Sequence, residues 1–250
     1  MLIELSLLMW LVVILAAFFC GILHGATGMA GGLVMTAILT QIIGIKAAIP
    51  VMTVGLILSQ ISRAYLYWVN ADWQIVKRVL LSGLPTLILG SYVFSLLSPL
   101  TITAIFLTFL IFSLPVKYYA RNKNIKTSPK VLSVASVFWG ALAGNVIGPS
   151  FFLAPFVLGI GISRLTFVGT MAMITTVMNF TKIVVFSSTA MMTPNLLILG
   201  IIVGMLMMPG NWIGKVILHK IDDKMHLFLI DFLTILVIIN FIYLLYSGLR

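Results

Sequence analysis

A chain of 250 residues with 62% hydrophobic residues, only 8% charged residues and a mean hydropathy of +1.22 is not an ordinary soluble domain, since such domains carry roughly a quarter charged residues. The net charge of +10 is spread through short loops, which reads as a topology signal facing anionic lipid and excludes a nucleic-acid footprint. The single Cys20 excludes an intrachain disulfide. Acids are scarce, and there is no P-loop, no metal-ligand cluster and no Ser/His/Asp set, which argues against direct ATP use, a resident metal or cofactor, and an enzyme.

Taken in order, the chain marks out ten apolar segments: 5–23, 30–43, 47–68, 78–97 and 100–119, then 131–147, 150–162, 165–188, 195–214 and 226–247. A full transmembrane helix needs about 20 residues. Segments 30–43 and 150–162 fall short, and each follows a glycine-rich break. The first break is His24-Gly25-Ala26-Thr27-Gly28-Met29-Ala30-Gly31-Gly32; the second is Gly144-Asn145-Val146-Ile147-Gly148-Pro149-Ser150. Backbone groups freed by such breaks find no water in a bilayer, so the tips must be buried in protein. Residues 5–43 and 131–162 therefore read as two helical hairpins or broken helices, and the other six segments as full spans. The N-terminus carries Glu4, lacks a basic stretch and runs straight into a spanning segment, so no cleavable signal peptide is expected.

The two halves read as repeats. An offset of 119 residues pairs Gly21 with Gly140, Gly25 with Gly144, Gln60 with Asn179 and Arg63 with Lys182; an offset of 124 then pairs Pro85 with Pro209 and Gly90 with Gly214. If the 117–130 loop is cytoplasmic and each hairpin returns to its starting side, eleven basic residues fall inside and only Lys46 and Arg250 outside, the asymmetry expected of cytoplasmic loops. Both termini are then outside, and the repeats are inverted, as in many secondary transporters. The expected fold is an all-α polytopic membrane protein with two inverted repeats, each a glycine-broken helical hairpin plus three full transmembrane helices. Residues 1–250 form a single membrane domain: first repeat 1–119, cytoplasmic linker 120–130, second repeat 131–250.

Arg63 and Lys182 are the sharpest candidates for chemistry. A cation within a span costs at least about 2.5–3.5 kcal/mol at mid-membrane, and the few acids cannot neutralise all the cations, so a translocated anion is a fitting partner. Gln60 and Asn179 stand one turn earlier on the same helix faces. The alternative is that both cations snorkel to the interface. Helices restarting near Met29 or Pro149 offer backbone N–H groups to an anion, which brings Gly25, Gly28, Gly31, Gly32, Gly144, Gly148 and Ser150 into the candidate binding set. Gly21-x-x-x-Gly25 and Gly140-x-x-x-Gly144 read equally as close-packing faces. His24 is a candidate for proton coupling, against a plain structural histidine. Asp231 is expected to pair with Lys182 or a loop lysine. Cys20 reads as a small buried hydrophobe before a sulfur relay, and the 14 methionines read as packing.

With these residues in hand, the chain resembles the sulfite exporter TauE/SafE-like family of membrane permeases along essentially its whole length. The likeness rests on Gly25-Ala26-Thr27-Gly28-Met29-Ala30-Gly31-Gly32, on Gly140-Ala141-Leu142-Ala143-Gly144 with Pro155 downstream, and on Gly159-Ile160-Gly161-Ile162-Ser163-Arg164 followed by Gly169-Thr170. The resemblance implies a multi-pass protein of the bacterial inner membrane that moves small, often sulfur-containing anions. The favoured reading is a secondary transporter working by alternating access, one repeat rocking against the other. An anion channel and a Cys20-dependent membrane sulfur-transfer protein are the rivals. The expected partners are the anion and the lipid bilayer, with no nucleic acid; a homo-oligomer is an option the sequence leaves open.

Overall fold

The computed structural model describes residues 6–27, 30–122, 126–218, 220–221 and 223–248, without the side chains at 62, 63, 66, 117, 120–122, 151, 164, 218, 223, 224 and 227. Among the described residues the chain is all helical. The helices are α1 (Leu7–Thr27), α2 (Ala30–Ile43), α3 (Ile45–Tyr67), α4 (Trp73–Leu96), α5 (Pro99–Asn122), α6 (Pro129–Asn145), α7 (Ser150–Leu158), α8 (Arg164–Ser188), α9 (Pro194–Leu218) and α10 (Asp223–Gly248), with a short 3₁₀ turn at Trp68–Asn70. Six of them, α1, α4, α5, α8, α9 and α10, are long and apolar enough to cross a bilayer. The ten apolar segments correspond to the ten helices. One boundary differs in substance: α1 runs on to Thr27, giving 21 residues, about 31 Å of helix. The first hairpin therefore opens with a full-length limb, whereas α2, α6 and α7 have 14, 17 and 9 residues.

Small residues set the helix directions. An added Cβ would lie 2.4 Å from Met207 O at Gly21, 2.3 Å from Asn211 O at Gly25 and 2.1 Å from Ile22 O at Gly214. The contacting residues rise together in number, so α1 and α9 run parallel. The α4–α6 pair repeats the arrangement: a Cβ would lie 2.1 Å from Gly83 O at Gly140 and 2.4 Å from Ser91 N at Gly144. Backbones this close leave no room for any side chain, which is how helices associate without a hydrophobic drive between them. Gly55 against Gly204, and Asn211 Nδ2 donating to Ser59 Oγ at 2.6 Å, set α3 parallel to α9.

α8 follows α4 at both ends, through Asp72 N donating to Thr170 Oγ1 at 2.9 Å and the Phe94 and Phe186 rings 5.2 Å apart. Gly169 abuts the backbone from Tyr67 to Ala71, so α3 and α8 pack antiparallel. Helices α1, α3 and α9 thus run one way, and α4, α6 and α8 the other. The tight seams do not respect the division of the sequence into halves: α9 packs with α1 and α3, and α4 with α6 and α8.

The hairpins point at each other. α2 folds back on α1, with a Cβ at Gly31 only 2.0 Å from Cys20 O. Because α1 and α6 run oppositely, the two tips approach from opposite ends of the bundle. They meet where Ile147 lies beside Gly32 and where a Cβ added at Gly148 would sit 3.0 Å from Leu33 Cδ2. Gly148 has φ +81°, a left-handed conformation that glycine adopts without strain, and it turns the chain from α6 into α7.

Asp72, Ser128 and Ser163 cap α4, α6 and α8 by accepting backbone N–H bonds, and all three lie at one end of the bundle. Lys77, Arg78, Lys126, Lys130, Lys215 and Lys220 lie at that end too. Lys46 sits at the other, its Nζ donating to Ser95 O at 3.4 Å. α5 and α10 flank the bundle and meet through Phe106 and Phe241, ring centroids 4.7 Å apart.

Candidate functional site

The antiparallel α3–α8 seam carries the polar residues that the repeat comparison singles out. Counting helical rise from the Tyr67–Gly169 contact, Gln60 and Asn179 fall within about 5 Å of one level, near the middle of the seam. Both are buried, Gln60 at 8% and Asn179 at 1% exposure. Asn179 Oδ1 has no hydrogen-bond partner among the described residues. The same count places the Arg63 backbone towards the Gly169 end and Lys182 towards the other, about 14 Å apart along the seam. The Arg63 side chain lies outside the described residues. The two backbones therefore do not share one level.

Lys182 is fully buried, at 0% exposure, and is the one charged side chain in the buried set among the described residues. It does not snorkel. Its Nζ donates to Val146 O at 3.2 Å and lies 5.7 Å from the centroid of the Phe186 ring, which in turn packs on Phe94. Val146 is the C-cap of α6, so the ammonium sits at the negative end of that helix's dipole, worth about 0.3–1 kcal/mol and up to about 2 in buried settings. A hydrogen bond from a charged group contributes about 1.5–3 kcal/mol. Burying the ion costs several kcal/mol, and Lys182 has no carboxylate partner among the described residues. An ammonium has three donors, and among the described residues a single protein acceptor answers them. The deficit is what an anion beside Nζ would cover.

The tip of the second hairpin thus meets the cation through its carbonyl side, not through a helix N-terminus. At the first tip, Ala30 N donates to Thr27 Oγ1 at 3.1 Å, so one of the amides expected to hold an anion is already satisfied within the hairpin. A family model described as sulfite exporter TauE/SafE matches residues 13–241. The chain belongs to the TauE/SafE family. It is a multi-pass membrane protein of a transporter family. No curated protein and no solved structure matches the chain.

In this TauE/SafE chain the glycines divide by role. Gly25 and Gly144 are filled against neighbouring backbone, as the close-packing reading has them, and Gly31 is filled in the same way. Gly32 and Gly148 lie at the meeting of the tips, where the nearest atoms are the side chains of Leu56 and Leu33. Ser150 is the half-buried first residue of α7. Gly28 lies outside the described residues. His24 is buried under Gly31, between the limbs of the first hairpin. Cys20 is a free, buried thiol on the same limb.

Asp231 accepts a hydrogen bond from the Tyr118 hydroxyl, tying α10 to α5. Sequence reasoning missed the Val146 carbonyl, the Phe94–Phe186 pair and the Ser59–Asn211 bond. Only Asn211 carried a legible signal, as an amide inside a span. Two lateral crevices, of about 430 Å³ beside α5 and Phe152 and about 340 Å³ beside α2 and α10, are lined mainly by apolar side chains. Neither is lined by Asn179 or Lys182.

Proposed function

We propose that this protein is a secondary transporter of a small anion, held at Lys182 and Asn179 beside Gln60 and the second hairpin tip. The observation that carries this reading is the fully buried ammonium of Lys182, which among the described residues has one neutral acceptor and no counter-ion. The opposed directions of α1 and α6, α3 and α8, and α4 and α9 support two repeats of inverted topology. Such folds place the substrate at the repeat interface near mid-membrane, where the α3–α8 seam lies. The glycine seams make poor sliding surfaces, so the bodies that rock are α1–α3 with α9 against α4 with α6–α8, rather than one half of the sequence against the other. Arg63, on α3 at the other level of the seam, is the second candidate cation on the path. The end carrying Lys77, Arg78, Lys126, Lys130, Lys215 and Lys220 faces the cytoplasm by the positive-inside rule, in the bacterial inner membrane. The anion is a sulfur-containing oxyanion or organosulfonate, in keeping with the family.

The test is flux in proteoliposomes. A carrier saturates and shows counterflow of labelled against unlabelled anion; flux that rises linearly with concentration and lacks counterflow would make the protein a channel. His24 as a proton-coupling group is tested in the same assay, by whether His24→Gln removes stimulation by a proton gradient.

A further inference from the structure

The surroundings of Lys182 bear on which anions its site accepts. Beyond Nζ the lining is dry and aromatic: Phe186 faces the ammonium, and Phe94 packs behind it, both fully buried. Val146 and Ile147 of the second tip and Leu33 of the first belong to the same buried apolar cluster. Among the described residues the donors beside an incoming anion are few, the two ammonium protons not engaged by Val146; one turn away the unpartnered atom of Asn179 is its Oδ1, an acceptor. An anion entering such a place leaves most of its hydration behind. That penalty grows with the square of the charge, whereas its attraction to one ammonium grows only in proportion to the charge. A divalent, strongly hydrated oxyanion therefore loses more than a single buried cation returns. A monovalent anion with a diffuse, polarisable body loses little hydration and keeps the attraction of the ammonium.

Resting on the reading of Lys182 as the anion site, we propose that this site selects weakly hydrated monovalent anions over strongly hydrated divalent ones, with Phe186 and Phe94 as the residues that set the preference. They act by keeping water from the ammonium.

Equilibrium binding of sulfur-radiolabelled thiocyanate and sulfate to the purified full chain, at constant ionic strength, tests this directly. The wild-type protein is expected to bind thiocyanate with a Kd lower than that for sulfate by about tenfold or more. Phe186→Leu and, independently, Phe94→Leu should narrow that ratio, and Lys182→Met should bind neither anion. Sulfate binding as tight as thiocyanate, abolished by Lys182→Met, would overturn the selectivity and leave the site standing. Thiocyanate binding that survives Lys182→Met would overturn the site itself. Lack of saturable binding of either anion to the wild-type protein would overturn both.

Discussion

The Lys182 ammonium donates to the carbonyl of Val146 across 3.2 Å, joining the last third of a long helix to the turn of a hairpin 36 residues away in sequence. This bond makes the second hairpin tip part of the cation's environment. Any movement of the tip relative to α8 changes what the ammonium touches. A buried cation whose one protein acceptor among the described residues belongs to a broken segment is thereby linked to that segment's position, which is the kind of coupling a carrier needs between occupancy and access.

Neighbouring glycines in the first break should respond in opposite ways to the same substitution. A Cβ at Gly31 would lie 2.0 Å from Cys20 O and 2.4 Å from His24 N, both backbone atoms, so Gly31→Ala forces the hairpin limbs apart. Overpacking of this kind costs about 1–3 kcal/mol. At Gly32 the nearest atom is Leu56 Cδ2 at 3.2 Å, the end of a flexible side chain, and alanine regains about 1 kcal/mol of helix propensity. Thermal unfolding in detergent checks this: Gly31→Ala should be clearly destabilised and Gly32→Ala close to wild type. Equal losses would contradict the packing described.

The organisation into ten helices and two glycine-broken hairpins was legible because hydropathy and glycine placement are local signals. The paired glycines both lie in helix seams: Gly21 packs on Met207 and Gly140 on Gly83. What could not be read was partnership. Nothing in the sequence says that α9 joins the first hairpin and α4 the second, because both seams are built of the same small residues. Lys182 was legible as an ion out of place. Its acceptor was not, since a backbone carbonyl carries no residue identity. The glycines Gly25 and Gly144 suit an anion cradle and a packing face equally by type, and only their neighbours decide.

The hydrogen bond from Tyr118 to Asp231 should be structural. Pairs of this kind in membrane proteins contribute about 0.6 kcal/mol on average and at most about 1.7. Tyr118→Phe is expected to lower thermal stability by that amount and to leave anion flux within about twofold of wild type. Loss of flux with unchanged stability would instead place Asp231 on the transport path.

The meeting of the hairpin tips should be mobile during transport. On a Cys20→Ala background, itself expected to be fully active because that thiol is a small buried group, cysteines at Leu33 and Ile147 can be joined by a short cleavable bismaleimide. Flux should fall when the linker forms and return when it is cut. Full activity of the linked protein would show that the tips need not separate. An inactive Cys20→Ala protein would revive the sulfur-transfer alternative.

Anion flux through Lys182→Met, reconstituted beside the wild-type protein at matched amounts, is the most direct measurement. Replacing a buried ion by an apolar side chain of similar length is neutral or stabilising in many proteins, so the variant should insert and unfold at or above the wild-type temperature. Its flux should nevertheless drop by about tenfold or more, the equivalent of losing about 1.4 kcal/mol of anion binding. Wild-type flux through a well-folded Lys182→Met protein would contradict the assignment of this ammonium as the group that holds the anion.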